Sequence, residues 1–378
     1  MKILMFFPGR IDHLPPLMTA ATCLAKLGAR VRIVASGTAL ESAFFLLKHG
    51  VELSIEHNGP HPTSYLKRAV LRARIGIRLI RETKSFKPDC IWYHGPFAME
   101  YALIPFINSG VIVIAHAHEL CDKELLLGWV SRIVPRRANI VLVPEINRLW
   151  ILKISSRSNA SFFLVPNRTS DVDELPDNTN SNTRDIFLQH GGASQCTRFL
   201  IYQGAFMPDR CLDQLIRAFI SVPFMDTGLI LMGADFKSEA VKRLIHMAKD
   251  DKRIVFLPRI PPPNHQTIAM GCIGGIMLYA PVGLNNIYCA PNKIYEYATI
   301  GLGMILPDYP GILTINKEYA LGELCDPTDP LSIKEAIIKL IHKGPETYKH
   351  AAYKFLGKTP KPIDSYAEIY NRIQAINS

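Results

Sequence analysis

A short segment in the second half of the chain carries residues that suit a phosphorylated sugar. A helix is predicted to begin near Pro291 and to end near Gly301, after an apolar strand over Gly275–Tyr279 and a loop. Proline favours the first helical position, and glycine ends helices. The N-terminus of a helix offers unpaired backbone N–H groups and a positive dipole end, which bind phosphate. Lys293 adds a positive charge in the first turn, and Glu296 can accept hydrogen bonds from sugar hydroxyls.

A second group of suitable residues follows a predicted strand upstream, in the segment Tyr202-Gln-Gly-Ala-Phe-Met-Pro-Asp-Arg210. Gly204 would let the backbone approach a diphosphate, and the guanidinium of Arg210 could bind its oxygens in a bidentate manner. An ordinary strand, turn and helix with a surface arginine would show the same pattern. Because Lys293 and Glu296 lie downstream, we favour the interpretation of this segment as part of a diphosphate-binding site.

The elements that must position these residues alternate between apolar strands and helices, a pattern typical of parallel βαβ units. In the first half the predicted strands are Lys2–Phe7, Arg30–Ala35, Asp89–Tyr93, Val111–Ala115 and Ile140–Val143, and the predicted helices are Pro15–Leu27, Ala39–His49, Ser64–Phe86, Met99–Asn108 and Lys123–Val134. In the second half the predicted strands are Phe199–Tyr202, Leu229–Met232, Ile254–Leu257, Gly275–Tyr279 and Met304–Leu306, and the further helices are Arg210–Ile220, Lys237–Asp250, Leu331–His342 and Ser365–Ile376. Two doubly wound halves predict a ligand cleft between them, at the carboxyl ends of the strands.

Two domains are the natural expectation for a chain of 378 residues, which is too long for one ordinary core. We predict an N-terminal Rossmann-like domain over 1–170 and a C-terminal Rossmann-like domain over 199–360. Residues 171–198 are predicted to be a polar linker, because Asp171–Ser194 is rich in Asp, Asn, Ser and Thr. Residues 361–378 are predicted to form a C-terminal helix that could cross back to the first domain.

The segment Pro291-Asn-Lys-Ile-Tyr-Glu-Tyr297, followed by small residues and Gly301, resembles the donor-sugar site of family-4 glycosyltransferases. The resemblance implies the α/β fold called GT-B, in which two Rossmann-like doubly wound domains face each other across a cleft. It also implies a nucleotide-sugar donor, UDP- or GDP-linked, and transfer with retention, no cofactor and no required metal ion. Under this interpretation the donor-binding residues are Gly9, Gly204, Arg210, Gly233, Arg259, Ile260, Tyr288, Asn292, Lys293 and Glu296.

One position departs from the family pattern. Relatives often carry two glutamates separated by seven residues, and the residue at the first of these positions is Tyr288. The backbone of the loop from Gly283 to Tyr288 could hold the sugar instead. The pattern therefore does not identify which sugar is used.

Histidines follow two predicted strands of the first half. The segment Ala115-His-Ala-His-Glu-Leu120 resembles the family segment whose histidine faces the donor sugar, which implies a catalytic role for His118 with Glu119 beside it. Histidines satisfied by backbone groups are the alternative. A metal site is not expected, because two histidines one residue apart would need a third and a fourth ligand. His94 and Arg10 also end predicted strands and are expected to line the cleft on the acceptor side.

Positive charge is concentrated in residues 1–170, which hold 22 Lys and Arg against 11 Asp and Glu, a net charge of +11, while the remainder has a net charge of −1. The helical segment 67–87 carries eight basic residues, among them Arg72, Arg74 and Arg78, and Trp129 lies in a second apolar segment with flanking arginines. A solvated helix face is the alternative, but a face of one sign at this density is uncommon. We predict contact with an anionic membrane, and not with nucleic acid, since no nucleic-acid motif is present.

The composition, 48% hydrophobic and 20% charged, is typical of a globular protein, and no uninterrupted apolar run is long enough to span a membrane. The eight cysteines are scattered without a CxxC pair, which fits a reducing cytoplasm. The sequence as a whole predicts a cytoplasmic glycosyltransferase, peripheral on the inner face of the cell membrane. It would transfer a hexosyl or N-acetylhexosaminyl group to a lipid-linked or polysaccharide acceptor in cell-surface glycan synthesis. A nucleotide-sugar 2-epimerase of the same fold and a non-catalytic partner subunit are the alternatives.

Overall fold

The chain divides into two compact units, each built around one parallel sheet. The computed structural model describes residues 1–57, 64–104, 107–108, 110–121, 125–168, 183–260 and 264–377. One unit comprises Met1–Thr169 with Pro360–Ser378, and the other comprises Ser170–Thr359. No helix in these described ranges is both long enough and apolar enough to cross a membrane.

The first unit is a seven-stranded sheet with helices between successive strands. In chain order its elements are β1 (Lys2–Arg10), α1 (Pro15–Lys26), β2 (Arg30–Gly37), α2 (Leu40–Lys48), β3 (Glu52–Ile55), α3 (Tyr65–Phe86), β4 (Cys90–His94), α4 (Pro96–Met99), β5 (Ile112–His116), α5 (Leu125–Arg137), β6 (Ile140–Val143), α6 (Ile146–Ser156) and β7 (Ser161–Leu164). The strand order is β3-β2-β1-β4-β5-β6-β7, and the paired strands are parallel. The order reverses between β1 and β4, which is where doubly wound sheets bind ligands.

The second unit repeats this plan with six strands. Its elements are α7 (Thr183–Gln189), β8 (Arg198–Gln203), α8 (Leu212–Ile220), β9 (Thr227–Ala234), α9 (Glu239–Ala248), β10 (Ile254–Pro258), β11 (Gly274–Ile276), α10 (Leu284–Ile287), α11 (Asn292–Thr299), β12 (Gly303–Pro307), α12 (Pro310–Tyr319), β13 (Gly322–Cys325), α13 (Pro330–Lys343) and α14 (Pro345–Lys358). The strand order is β10-β9-β8-β11-β12-β13, again parallel, and it reverses between β8 and β11.

The central strands are buried on both faces, which explains why they read as continuous apolar runs. In β1, Ile3 and Met5 belong to one core cluster while Leu4 and Phe6 belong to another. This alternation follows from the two-residue period of a strand. Each sheet therefore separates two layers of helices.

The chain returns to the first unit with its last helix, α15 (Pro362–Asn377), which packs against α1. Tyr366, Ile369 and Ile373 are buried in the same core cluster as Leu17 of α1. An apolar stripe at helical spacing on α15 thus covers one face of the first sheet.

Part of the segment 171–198, predicted to be a polar linker, is helical. Thr183–Gln189 form α7, and Phe187 is fully buried in the core of the second unit. The residues around this helix are mostly polar, so the sequence pattern does not reveal that Phe187 is buried. Residues 171–182 lie outside the described part of the chain.

Candidate functional site

Two glycines bring the carboxyl ends of β8 and β9 into direct contact in the second unit. Gly204 has a φ of +144° and Gly233 a φ of +120°, and a Cβ atom on Gly233 would lie 2.0 Å from the carbonyl oxygen of Gly204. The Gly204 amide donates to the Met232 carbonyl at 3.0 Å. Any side chain at Gly233 would displace the loop that follows β8, so this close approach requires glycine. The open backbone beside the reversal of strand order is suited to a diphosphate.

Two cations and two tyrosines lie beside this loop. The ammonium of Lys293 lies 4.4 Å from the ring centroid of Tyr202 and 5.8 Å from that of Tyr279, and the guanidinium of Arg210 lies 4.5 Å from the Tyr279 ring. A Cβ atom on Gly204 would lie 2.9 Å from the Lys293 ammonium. The two positive charges therefore meet at the glycine loop, where an anion would offset their repulsion.

The structure positions Arg210 differently from the sequence prediction, which had it open a helix. Arg210 ends a 3₁₀ turn over Pro208–Arg210, Cys211 follows with a φ of +52°, and α8 begins at Leu212. The guanidinium forms an ion pair with Asp209 at 2.9 Å, and Asp209 also accepts from Asn286 at 3.1 Å. These contacts hold Arg210 in place before a ligand arrives.

Burial and the positive charge of Arg210 lower the pKa of Lys293 to about 7, against the nearby Glu296, Asp209 and Cys289, which raise it. A bound diphosphate would raise this pKa again, because it stabilises the ammonium form. Below pH 7 the lysine is protonated with or without ligand. Above pH 7 the free protein must take up a proton on binding.

We therefore expect the affinity for a diphosphate diester to be highest below about pH 7 and to fall by up to about tenfold per pH unit above it. Calorimetric titrations in buffers of different ionisation enthalpy will measure the proton uptake. Lys293→Arg is the matched control, since arginine remains charged throughout this range. Equal pH profiles for the two proteins would contradict the assignment.

Glu296 is held one turn into α11 by two side chains that the sequence analysis missed. The amide of Gln203 donates to one carboxylate oxygen at 2.7 Å, and the Nε2 atom of His265 lies 3.3 Å from the other. Burial alone would raise the pKa of Glu296, but His265, Gln203 and the charge of Lys293 together hold it below its ordinary value. The carboxylate is thus ionised and oriented, and it keeps lone pairs that can accept hydroxyl protons.

Four other predicted donor residues, Arg259, Ile260, Tyr288 and Asn292, lie at the same edge of the second sheet. Asn292 is the first residue of α11, whose N-cap is Pro291. Arg259 and Ile260 directly follow the carboxyl end of β10, and Tyr288 directly follows the short helix α10. The helix therefore begins one residue later than predicted, at Asn292 and not at Pro291. The loop predicted before it contains the short helix α10.

In the first unit, His94 ends β4, and His116 and His118 lie at the end of the neighbouring strand β5. All three are buried, with His118 7% exposed. Glu119 is exposed beside them. Backbone groups do not provide hydrogen-bond partners for all of these rings. Among the described residues, His116 has no partner at either ring nitrogen. His94 and His118 contact each other instead, through ring nitrogens 3.1 Å apart.

Gly9 and Arg10 end β1, next to β4, so Arg10 and His94 end adjacent parallel strands. Arg10 forms an ion pair with Asp12 at 3.1 Å. Both residues lie where the strand order of the first sheet reverses. This agrees with the general position of ligand sites in doubly wound sheets.

The basic residues chosen on α3 differ in their surroundings. Arg74 and Arg78 form ion pairs with Glu56 at 2.7 and 2.5 Å, whereas Arg72 is exposed with its guanidinium 5.9 Å from the Phe97 ring. Two of the three arginines thus have a structural partner that the sequence did not reveal. Trp129 falls within α5, but its side chain is outside what the structure describes.

No protein-family model and no curated protein matches the chain. Solved structures do match over its whole length. HepE of Anabaena, in complex with UDP and glucose, matches with a TM-score of 0.75 and 16% identity, over 99% of this chain and 100% of that one. Sucrose-phosphate synthase of Thermosynechococcus elongatus matches with a TM-score of 0.76 and 12% identity, over 100% of both chains.

A third match is a Listeria monocytogenes protein provisionally assigned as a UDP-N-acetylglucosamine 2-epimerase, with a TM-score of 0.69 and 13% identity, over 100% of this chain and 96% of that one. At such low identities the likeness shows the fold alone. The two parallel sheets of seven and six strands and these matches confirm the predicted fold class: the chain has the α/β GT-B fold, with two Rossmann-like units.

Proposed function

We propose that the protein is a glycosyltransferase that moves a sugar from a nucleotide diphosphate sugar to an acceptor. The observation that carries the proposal is the convergence of Arg210 and Lys293 on the loop at Gly204 and Gly233, with ionised Glu296 one turn away. Two cations can offset the charge that develops on a leaving diphosphate. An oriented carboxylate suits the hydroxyls of a ribose or a sugar.

The finer features of the proposal come from the resemblance to family 4. They are retention at the anomeric carbon, a UDP- or GDP-linked hexosyl or N-acetylhexosaminyl donor, and no metal ion at the diphosphate. His118 and Glu119 are proposed to act in catalysis, and a lipid-linked or polysaccharide acceptor is proposed as the second substrate, in cell-surface glycan synthesis. HepE, which has been solved with UDP and UDP-glucose, supports starting the donor screen with UDP-sugars.

A nucleotide-sugar 2-epimerase is the second candidate, and the likeness to the Listeria protein favours keeping it. The deciding experiment incubates the protein with a panel of nucleotide sugars, first alone and then with a lipid-linked or glycan acceptor. A transferase leaves the configuration at C2 of the sugar unchanged and releases nucleoside diphosphate when the acceptor is present. Formation of the 2-epimer from the donor alone would instead identify an epimerase. If neither nucleoside diphosphate nor the 2-epimer is formed, both functions are refuted.

We further propose that the first unit docks on an anionic membrane at the cytoplasmic face, through the exposed face of α3. On this helix Leu66, Val70 and Ile77 are 72%, 51% and 50% exposed, and Lys67, Arg81 and Lys84 are exposed beside them. Apolar side chains interleaved with basic ones suit the boundary between headgroups and acyl chains. Trp150 of α6, 53% exposed, belongs to the same layer of helices, because both helices pack on one core cluster.

Reversing the charge of Lys67, Arg81 and Lys84 to Glu is expected to release the protein from anionic vesicles at moderate salt. Each basic residue near such a surface contributes about 1 kcal/mol, and none of these three has an ion pair with Glu56 to break. Vesicle flotation measures the effect. The matched control makes the same charge change on exposed residues of the second unit, Lys237, Arg243 and Lys249. Equal release by both variants, or no binding by the parent protein, would reject docking through α3.

A further inference from the structure

Three buried histidines form a cluster in the first unit that the proposed reaction does not fully use. His94 ends β4, and His116 and His118 lie at the end of β5, one strand away. One ring nitrogen from each lies within 4.8 Å of the others, and no other group of three potential metal ligands was found in the described part of the chain. His116 and His118, one residue apart in sequence, are by themselves too few ligands for a metal site. Strand pairing supplies the third, because His94 and His116 are register partners.

The ring nitrogens of this cluster lack the partners that buried polar atoms normally have. One contact exists, between Nδ1 of His94 and Nε2 of His118 at 3.1 Å. Among the described residues, nothing hydrogen-bonds to Nε2 of His94, to either nitrogen of His116 or to Nδ1 of His118. A buried polar group without a partner costs about 1–3 kcal/mol, so a metal ion that binds a ring nitrogen of His116 would recover that energy at His116.

The three rings are also in the protonation state that a metal ion requires. Burial lowers the pKa of His94 and His116 well below the ordinary value, and the neighbouring histidines lower them further. Burial and the charge of Arg148 lower the pKa of His118 to about 3. Neutral imidazole is the form that binds metal ions. The rings therefore lose no net proton at neutral pH, and the proton in the contact between His94 and His118 moves to the other nitrogen of its ring on binding.

We propose that His94, His116 and His118 bind a divalent transition-metal ion, with Zn²⁺ as the expected occupant. Three imidazoles and one open position are a common arrangement in zinc sites. Ligand nitrogens at about 2.0–2.1 Å from a tetrahedral ion are separated by about 3.3 Å, close to the 3.1 Å between His94 and His118. His116 has to approach the other two on binding. Mg²⁺ and Ca²⁺ are not expected, since both prefer oxygen ligands.

Arg148 affects this site in two opposite ways. Its guanidinium donates to the backbone carbonyl of His118 at 2.6 Å, which fixes the chain at one of the three ligands. Its positive charge opposes a second cation nearby. Binding should therefore be selective for ions with a strong preference for imidazole, rather than uniformly tight for all divalent ions.

The experiment uses the whole 378-residue chain, treated with a chelator and dialysed. Zn²⁺ is titrated by calorimetry, and Co²⁺ is added as a spectroscopic probe whose visible absorption reports the coordination number and geometry. We expect one ion per chain, a Co²⁺ spectrum of a four- or five-coordinate site, and displacement of Co²⁺ by Zn²⁺. His94→Gln, His116→Gln and His118→Gln should each weaken binding by at least about tenfold.

His246→Gln is the matched control, because His246 is exposed on α9 of the second unit and tests for adventitious binding to surface imidazole. The zinc-induced rise in melting temperature is compared with each variant's own metal-free melting temperature, so a variant that is merely less stable remains informative. Nucleotide binding by His116→Gln is measured in parallel and should not change, because His116 has no part in the proposed reaction, which separates this proposal from the proposed function. Absence of stoichiometric Zn²⁺ binding, or equal affinity in the His94, His116 and His118 variants and the parent, would overturn it.

Discussion

Replacing Arg210 with alanine is expected to weaken the binding of a nucleoside diphosphate about 10- to 150-fold, because one charge-assisted hydrogen bond contributes about 1.5–3 kcal/mol. Lys293→Ala should have an effect of similar size below pH 7, where the lysine is charged. Titration of UDP and GDP against each variant measures both. The two effects should not simply add, since both cations contact the Tyr279 ring and repel each other.

The control for this experiment is Arg217→Ala. Arg217 is exposed on α8, two turns from Arg210, so its removal changes the net charge equally without touching the glycine loop. Arg210→Lys should lie between the parent and Arg210→Ala, because lysine keeps the charge and loses the bidentate geometry. This diphosphate site would be excluded if Arg210→Ala and Lys293→Ala bind the nucleotide as tightly as the parent protein. It would also be excluded if Arg217→Ala loses as much affinity as they do.

The strand and helix pattern of both units could be predicted from sequence because their central strands are buried on both faces. β1, β8 and β12 read as apolar runs, and helices with an apolar stripe separate them. The elements that were missed include three edge strands, β3, β7 and β13. Their exposed or polar side chains, such as Glu52 and Glu323, remove the apolar signal. Short α7 was hidden for the same reason, since Phe187 is its one fully buried residue of large size.

The donor residues could be proposed because they are close together in sequence. Gly204 and Arg210 lie in one segment, and Lys293 and Glu296 lie in one turn of α11. The partners of Glu296 could not be found in this way: Gln203 and His265 come from other elements, and only the folded sheet brings them to the carboxylate. The cluster of His94 with His116 has the same origin, because it depends on the pairing of β4 with β5.

Glu296→Gln is expected to lower kcat/KM for the donor about 10- to 150-fold, the loss that corresponds to one hydrogen bond to a charged group. The melting temperature should barely change, since the new amide oxygen can still accept from Gln203 and the shape is preserved. The rate is measured with the nucleotide sugar that the donor screen identifies. Glu296 is buried and its pKa is held low, so the parent carboxylate is ionised across the assay range.

Glu323→Gln provides the matched control in the same unit. Glu323 is also a partly buried glutamate with two side-chain partners, Lys343 and Tyr348, both at 2.6 Å, but it lies on β13, away from the glycine loop. Loss of the Glu323 carboxylate should lower the free energy of unfolding without affecting turnover by the folded protein. His265→Gln should weaken turnover less than Glu296→Gln, because it removes the orientation of the carboxylate and keeps its charge. Full turnover by Glu296→Gln, or an equal loss in Glu323→Gln, would show that the carboxylate supports the fold and does not contact the donor.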